Sequence, residues 1–479
     1  MPDKYWSENE SGNELDPISS LLSEFDEEEF ENDFFFQGLE GRRQKAALVL
    51  TAIWGSTIAL HFVSWGSWLI IGLAALLGIQ AVRILLAKPL ETPEPLLGDA
   101  QANFPFVSLL VAAKNEEAVI TNLVKMLCNL DYPKERYEVW VIDDHSTDRT
   151  PVLLDQLVTQ YAQLKVLHRE ADAGGGKSGA LNQVLPLTKG EIVGVFDADA
   201  KVPKDLLRHV LPVFKQSNIG AVQVRKAIAN ASVNFWTRGQ KSEMAFDTYI
   251  QQQRIAIGGI GELRGNGQFV RRIALERCGG WNEQTITDDL DLTIRLHLDK
   301  WDIDFLNFPP VEEEGVTSAL ALWHQRNRWG EGGYQRYLDY WRLIASNRMG
   351  TQKTLDLFSF LIIQYLLPAA GIPDFLMAIA RHRPPILTPL TGLALTLPLV
   401  GMFIGLRRTQ KDQPLTVSTF FVTLWQTLRG TFYLLHWMLV IASMNARISV
   451  RPKRLKWVKT VHQGSDEETE ETFEFGANQ

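Results

Sequence analysis

Cysteine is nearly missing from this chain: Cys128 and Cys278 are the whole supply in 479 residues, with no CxxC spacing and no cluster with histidine. That excludes a disulfide framework, gives no sign of structural zinc and fits a reducing compartment. No secretory leader is expected from the N-terminal run "SEFDEEEFENDFFF", which is acidic where a leader would be basic and then apolar. Residues 1–45 are therefore expected to form an acidic, largely disordered cytoplasmic tail. Solenoid-type repeats are lacking, as are the matched Gly/Pro breaks of a transporter. From 89 to about 350 no apolar run is long enough to cross a bilayer, so this stretch reads as a soluble-type domain.

The net charge of −8 misleads. Residues 1–40 hold 13 acids and one lysine, and residues 465–475 hold six acids and no base, so the remainder carries +10. A basic remainder suits a protein held against anionic lipid headgroups or handling a phosphorylated substrate; no nucleic-acid partner is expected.

Long apolar runs flank the soluble stretch. Residues 46–63 and 66–87 predict a transmembrane hairpin over 46–88, with Arg42, Arg43 and Lys45 before it and Arg83 and Lys88 at its end, which places both open ends in the cytoplasm. Apolar runs return at 357–380 and 386–406, within a membrane region over 357–444. Arg429 interrupts 415–444, which reads as an interfacial helix plus a short or re-entrant segment, or as two short spans. Residues 336–356 are expected at the interface, and 445–479 as a cytoplasmic tail, first basic and then acidic.

Residues 106–228 alternate strand and helix signals, which predicts an α/β domain with a parallel, doubly wound sheet. In such sheets ligands bind beyond the C-terminal ends of the strands. Polar residues collect there: Lys114, Asn115 and Glu116, then Asp143 and Asp144, then Asp197 and Asp199. In "EIVGVFDADAKVP" the last two acids stand i, i+2, on one side of a strand, where a shared cation would turn repulsion into binding. The alternative is that the strand has ended and both acids are solvated. "ADAGGGKSGALN" looks like a phosphate-binding Walker loop, but the first glycine of that motif falls at Ala171 and the segment does not open the domain. Its glycines still admit an anion beside Lys177. Asp288 and Asp289 open a helix, where capping accounts for one acid and hardly for both. "WHQRNRWGEGG" sets Gln325, Arg328 and Trp329 just before the chain re-enters the membrane, either as an anchor or as part of a site.

The ordered series "DD" at 143–144, "DAD" at 197–199, "TDD" at 287–289 and "QRNRW" at 325–329 resembles the membrane-bound family 2 glycosyltransferases over residues 104–335. The resemblance implies a GT-A catalytic domain, Rossmann-like with a mostly parallel sheet, inserted between transmembrane helices. It implies that Asp143 and Asp144 border the nucleotide's uracil and ribose, and that Asp197 and Asp199 hold Mg²⁺ or Mn²⁺ on the diphosphate. Lys177 fits the lysine of the family's "KxGALN" stretch. Asp289 would be the catalytic base, and Gln325, Arg328 and Trp329 would contact the diphosphate and the acceptor. One departure is that "TDD" stands where polymer synthases often have "TED". Within the family, the layout is most similar to members that modify lipids. The expected reaction is inverting transfer of glucose from UDP-glucose to the 3-hydroxyl of diacylglycerol, on the cytoplasmic side of a plasma or thylakoid membrane. A processive β-glucan or related polysaccharide synthase, or a non-enzymatic membrane scaffold, are the alternatives, and no single residue reads glucose against galactose.

Overall fold

The structure is a computed structural model that describes residues 41–96, 104–410 and 414–450. The acidic N-terminal tail up to residue 40 and the C-terminal tail beyond 450 lie outside the described residues.

Two helices, α1 (Arg42–Leu60) and α2 (Gly66–Leu86), occupy the stretch expected as a hairpin. Among the described residues three helices are long and apolar enough to cross a membrane: α2, Thr351–Arg381 and Thr388–Thr409. The span expected over 46–63 is not one of them. Its helix begins with Arg42, Arg43 and Lys45, carries Gly55, Ser56 and Thr57 midway, and stops at Leu60. Just past its end the buried His61 Nε2 meets Asp374 Oδ1 at 2.8 Å.

The soluble stretch runs β1 (Val107–Ala113), α3 (Ile120–Cys128), β2 (Tyr137–Asp143), α4 (Thr150–Val158), β3 (Leu164–His168), α5 (Gly176–Val184), β4 (Ile192–Phe196) and α6 (Leu206–Val210). It continues with β5 (Ile219–Ile228), α7 (Phe235–Ala256), β6 (Gln268–Arg271), α8 (Arg272–Arg277), α9 (Asp288–Leu298), β7 (Asp302–Glu313) and α10 (Ala319–Ala345). One sheet results, in the order β3-β2-β1-β4-β6-β5-β7. Val107 is opposite both Tyr137 and Ile192 in parallel register, whereas β6 runs antiparallel to β4 and β5. The sheet is thus mostly parallel, as expected, with one reversed strand. Its central strands are apolar on both faces because both are covered: Leu109 and Val111 pack into one core while Leu110 packs into the other. Gly194 on β4 lets Phe269 cross the sheet closely, since a Cβ there would stand 2.7 Å from its ring.

Among the described residues the chain continues with α11 (Thr351–Leu361), a π-helical turn at Ile362–Leu366 leading into α12 (Leu367–Arg381), α13 (Thr388–Thr409), α14 (Val417–Leu434) and α15 (His436–Val450). The difficult stretch 415–444 is thus two helices broken at Leu435. Residues 336–356 run through the end of α10 into α11, with Tyr337, Leu338, Tyr340 and Ile344 buried in a core shared with α15.

Candidate active site

The C-terminal ends of β1, β2 and β4 open onto a single large cavity of about 2020 Å³. Asp144, Lys177, Asp197, Asp199, Asp289, Gln325, Arg328 and Trp329 all line it. Asp143 does not. Adjacent residues at a strand end face opposite ways, and Asp143 turns inward to His168 Nδ1 at 2.9 Å, while Asp144 faces the cavity and accepts from Arg169 Nη1 at 2.5 Å. His168 is exposed; what burial it has opposes its charge, but Asp143 and Asp155 outweigh that and raise its pKa.

β4 ends at Phe196, so Asp197 and Asp199 lie on a turn closed by the Ala200 N–H donating to Asp197 O at 3.0 Å. The strand geometry expected for them is replaced by this turn, which still sends both carboxylates to the cavity. Asp199 Oδ2 accepts from the Glu314 N–H at 3.0 Å. Asp197 Oδ1 accepts from Lys177 Nζ at 2.6 Å. Lys177 arrives there because Gly175, at φ +79, turns the chain into the first residue of α5. Burial works against both charges, but each outweighs it for the other. Asp197 is held below the usual carboxylate range by Lys177, with Lys226 and Arg328 behind it. The Lys177 ammonium is held above its usual range by Asp197, Asp288 and Asp289.

Asp288 and Asp289 are the first two residues of α9, and Thr287 makes no side-chain cap. Asp289 Oδ1 accepts from the Leu290 N–H at 2.8 Å, and its Oδ2 faces Gly265, whose missing side chain leaves room: a Cβ there would be 3.3 Å away. Burial, and then the neighbouring Asp288 charge, push the Asp289 carboxyl up to about 6. Such a group is poised to accept a proton near neutrality. Asp288 Oδ2 is buried without a hydrogen-bond partner.

The "QRNRW" segment lies on α10 within the catalytic domain, not at a free interface. Arg326 is fully buried between Trp329 and Trp437, 4.0 and 5.6 Å from the ring centroids, and donates to Glu243 Oε2 at 2.5 Å. Tyr433 O–H and Trp437 Nε1–H also donate to Glu243, at 3.2 and 2.7 Å. This network ties α7, α10, α14 and α15 together and leaves Arg328 facing Asp197, Asp288 and Asp289, while burial lowers its pKa. Lys226 of β5, which motif reading passed over, is 5.3 Å from the Trp329 ring centroid and pairs with Glu313 at 3.0 Å. Its signal was present, in the alternation of "VQVRKAI".

Chemically, one wall gathers cations (Lys177, Lys226, Arg328) fit for a diphosphate, and one turn gathers two hard carboxylate donors. Among the described residues no group of three or more His, Cys, Asp or Glu is placed to cage an ion. Two carboxylates completed by phosphate oxygens and water are nonetheless what Mg²⁺ takes, so the residues present fit it.

The profile described as "Glycosyltransferase like family 2" matches residues 105–332. A protein of Trichormus variabilis named beta-monoglucosyldiacylglycerol synthase is 62% identical over 472 residues, covering 98% of this chain and 100% of its own. One of the same name from Synechocystis is 59% identical over 475 residues, 98% of each chain. Among solved structures, a mannosyltransferase from Pyrobaculum calidifontis in complex with GDP-Man and Mn2+ superposes with a TM-score of 0.50 at 19% identity, over 85% of this chain and 99% of its own, a likeness of fold. With that identity running through essentially its whole length, the chain belongs to glycosyltransferase family 2 and is an enzyme of the GT-A fold.

Proposed function

We propose that this enzyme moves glucose from UDP-glucose to the 3-hydroxyl of 1,2-diacylglycerol with inversion, giving β-monoglucosyldiacylglycerol. The observation that carries this is the continuity of the cavity. It runs from Lys177, Asp197 and Asp289 to Leu77, Leu367 and Leu397 on three helices that are apolar and long enough to span a bilayer. A hydroxyl attached to acyl chains would reach the carboxylate without leaving the lipid. The name shared by the relatives at 62% and 59% identity supports the same acceptor.

On this reading Asp144, with Asp143 fixed behind it through His168, borders the nucleoside. Asp197 and Asp199 would hold Mg²⁺ or Mn²⁺, which when bound supplies charge to neutralise the departing diphosphate. Lys177 and Arg328 add fixed positive charge on the same side. Asp289 takes the proton of the acceptor hydroxyl as it attacks the anomeric carbon, and the UDP–sugar bond breaks. With no enzyme nucleophile, one displacement turns the α-linked donor into a β-glycoside. Trp329 offers an apolar face to the sugar, and Gln325 a polar edge. On this reading the domain faces the cytoplasmic side of a plasma or thylakoid membrane, a side supported by the cations Arg42, Arg43, Lys45, Arg83 and Lys88 around the first two helices.

The test is incorporation of label from UDP-glucose into membranes containing the protein, with Mg²⁺ and added diacylglycerol. A chloroform-soluble product is expected. An insoluble polymer would establish the polysaccharide-synthase alternative that "QRNRW" also fits, and no incorporation would contradict both.

A further inference from the structure

The cavity has a second polar region that the chemistry above does not use. Next to Gly265, which faces Asp289, lies Arg264, and beyond it Arg254, Gln335, Arg336 and Gln364 line the same space, with Gln80 of α2 on another wall. Charge there is spent internally. Arg264 pairs with Asp247 and Glu262, both at 2.8 Å, Arg336 pairs with Glu262 at 3.1 Å, and Arg254 pairs with Asp356 at 2.9 Å. Three cations thus face three anions, and a phosphate would find no surplus charge.

Hydrogen-bonding capacity, by contrast, is left over. Arg254 Nη2, Arg336 Nε and Nη1, and Gln80 Nε2 are buried donors without acceptors, and Gln335 Oε1 and Gln364 Oε1 are buried acceptors without donors. A buried donor or acceptor left without a partner is costly, so their gathering in residues that line one cavity points to a ligand that supplies partners. A second feature agrees: Gln364 sits in the π-helical turn Ile362–Leu366, an irregularity frequent at functional sites. The lining beside it is apolar, with Leu77, Ile363 and Leu367.

We propose that this charge-balanced chamber seats the ester-bearing glycerol head of a neutral diacyl lipid, with Gln80, Arg254, Arg336 and Gln364 as its contacts. The inference rests on the glycerolipid reading above and assigns the residues that set acceptor specificity. Ester carbonyls only accept hydrogen bonds, which suits the surplus of donors. The free hydroxyl, one donor and one acceptor, is then left toward Asp289, and the acyl chains leave along Leu77 and Leu367.

The test uses the full-length enzyme in mixed micelles with UDP-glucose and Mg²⁺. It compares 1,2-diacylglycerol with the 1,2-dialkylglycerol ether, which keeps hydroxyl and chains but lacks both carbonyls. The wild type should use the ether about tenfold less efficiently, through a higher KM for lipid. In the double variant Gln80→Leu, Gln364→Leu the KM for the ester should rise about tenfold and the ester preference should shrink toward unity, with the KM for UDP-glucose held. Equal use of ester and ether by the wild type, a preference that survives the double variant, or a lipid phosphate used in preference to diacylglycerol overturns the assignment. The ester–ether comparison needs no variant, so it decides even where the variant fails to fold. A wild type that binds UDP-glucose yet glucosylates no glycerolipid overturns both the assignment and the reading beneath it.

Discussion

Lys177 Nζ lies 2.6 Å from Asp197 Oδ1, joining the start of α5 to the turn after β4 on the wall of the cavity. The contact sets a lysine where a diphosphate would sit and gives Asp197 a cation whether or not a metal is present. Lys177→Met should therefore leave the fold intact and lower kcat/KM by about 10²- to 10³-fold, the cost of losing one preorganised charge. Steady-state kinetics with a thermal melt of the same preparation check both halves.

On the proposed reading the Asp197 and Asp199 carboxylates share a divalent cation with the donor. Removing divalent ions with a chelator should abolish transfer, and Mg²⁺ or Mn²⁺ should restore it. Asp199→Asn should raise the Mg²⁺ concentration needed for half-maximal rate by about tenfold or more, because an amide carries no charge to hold the ion. Unchanged metal dependence in that variant would remove Asp199 from the site.

Asp289 has its carboxyl raised to about 6, first by burial and then by Asp288. A base works only when deprotonated, so activity should be full above that value and fall about tenfold per pH unit below it. Asp288→Asn deletes the neighbouring negative charge, which lowers the Asp289 pKa and should move the acidic limb to lower pH. A pH–rate profile of kcat/KM for the two proteins measures the shift and its sign; a limb that stays in place would count against the coupling.

Glu262 is fully buried among Arg254, Arg264 and Arg336, at 3.5, 2.8 and 3.1 Å. Glu262→Gln keeps the shape but leaves two buried guanidinium groups, Arg254 and Arg336, and the partly buried Arg264 short of one anion, a loss of about 3–5 kcal/mol. A markedly lowered thermal midpoint is expected, and an unchanged one would mean that the cluster relaxes at little cost.

Much of this arrangement was legible in the sequence because the chemistry sits at strand ends. β1 through β4 announce themselves as short apolar runs, and the acids that follow them mark the edge of the sheet where ligands bind. What stayed hidden was hidden for physical reasons. α7 mixes apolar and polar residues without a clean apolar stripe, yet Gln240, Gln251 and Gln253 are buried, their amides spent on the distant carbonyls of Val316, Glu262 and Ile84 at 2.8, 2.9 and 2.7 Å. Hydrophobic periodicity does not register burial satisfied in this way. Whether Asp197 and Asp199 continue the strand or follow its end stays open in the sequence, because period alone does not say where a strand stops; the structure puts both on the turn after Phe196. Asp143 and Asp144 read as equals, although their adjacency on a pleat sends only Asp144 to the cavity. The first apolar run looked like a full span, but its helix ends at Leu60 and its opening turn is basic.

The most direct measurement of the account is glucolipid formation by Asp289→Asn set beside UDP-glucose binding by the same protein. Binding should match the wild type while product formation drops about 10²- to 10⁴-fold, the share of rate a positioned base supplies. Product formation at the wild-type rate would contradict the account, because the proton of the attacking hydroxyl would then be leaving by another route.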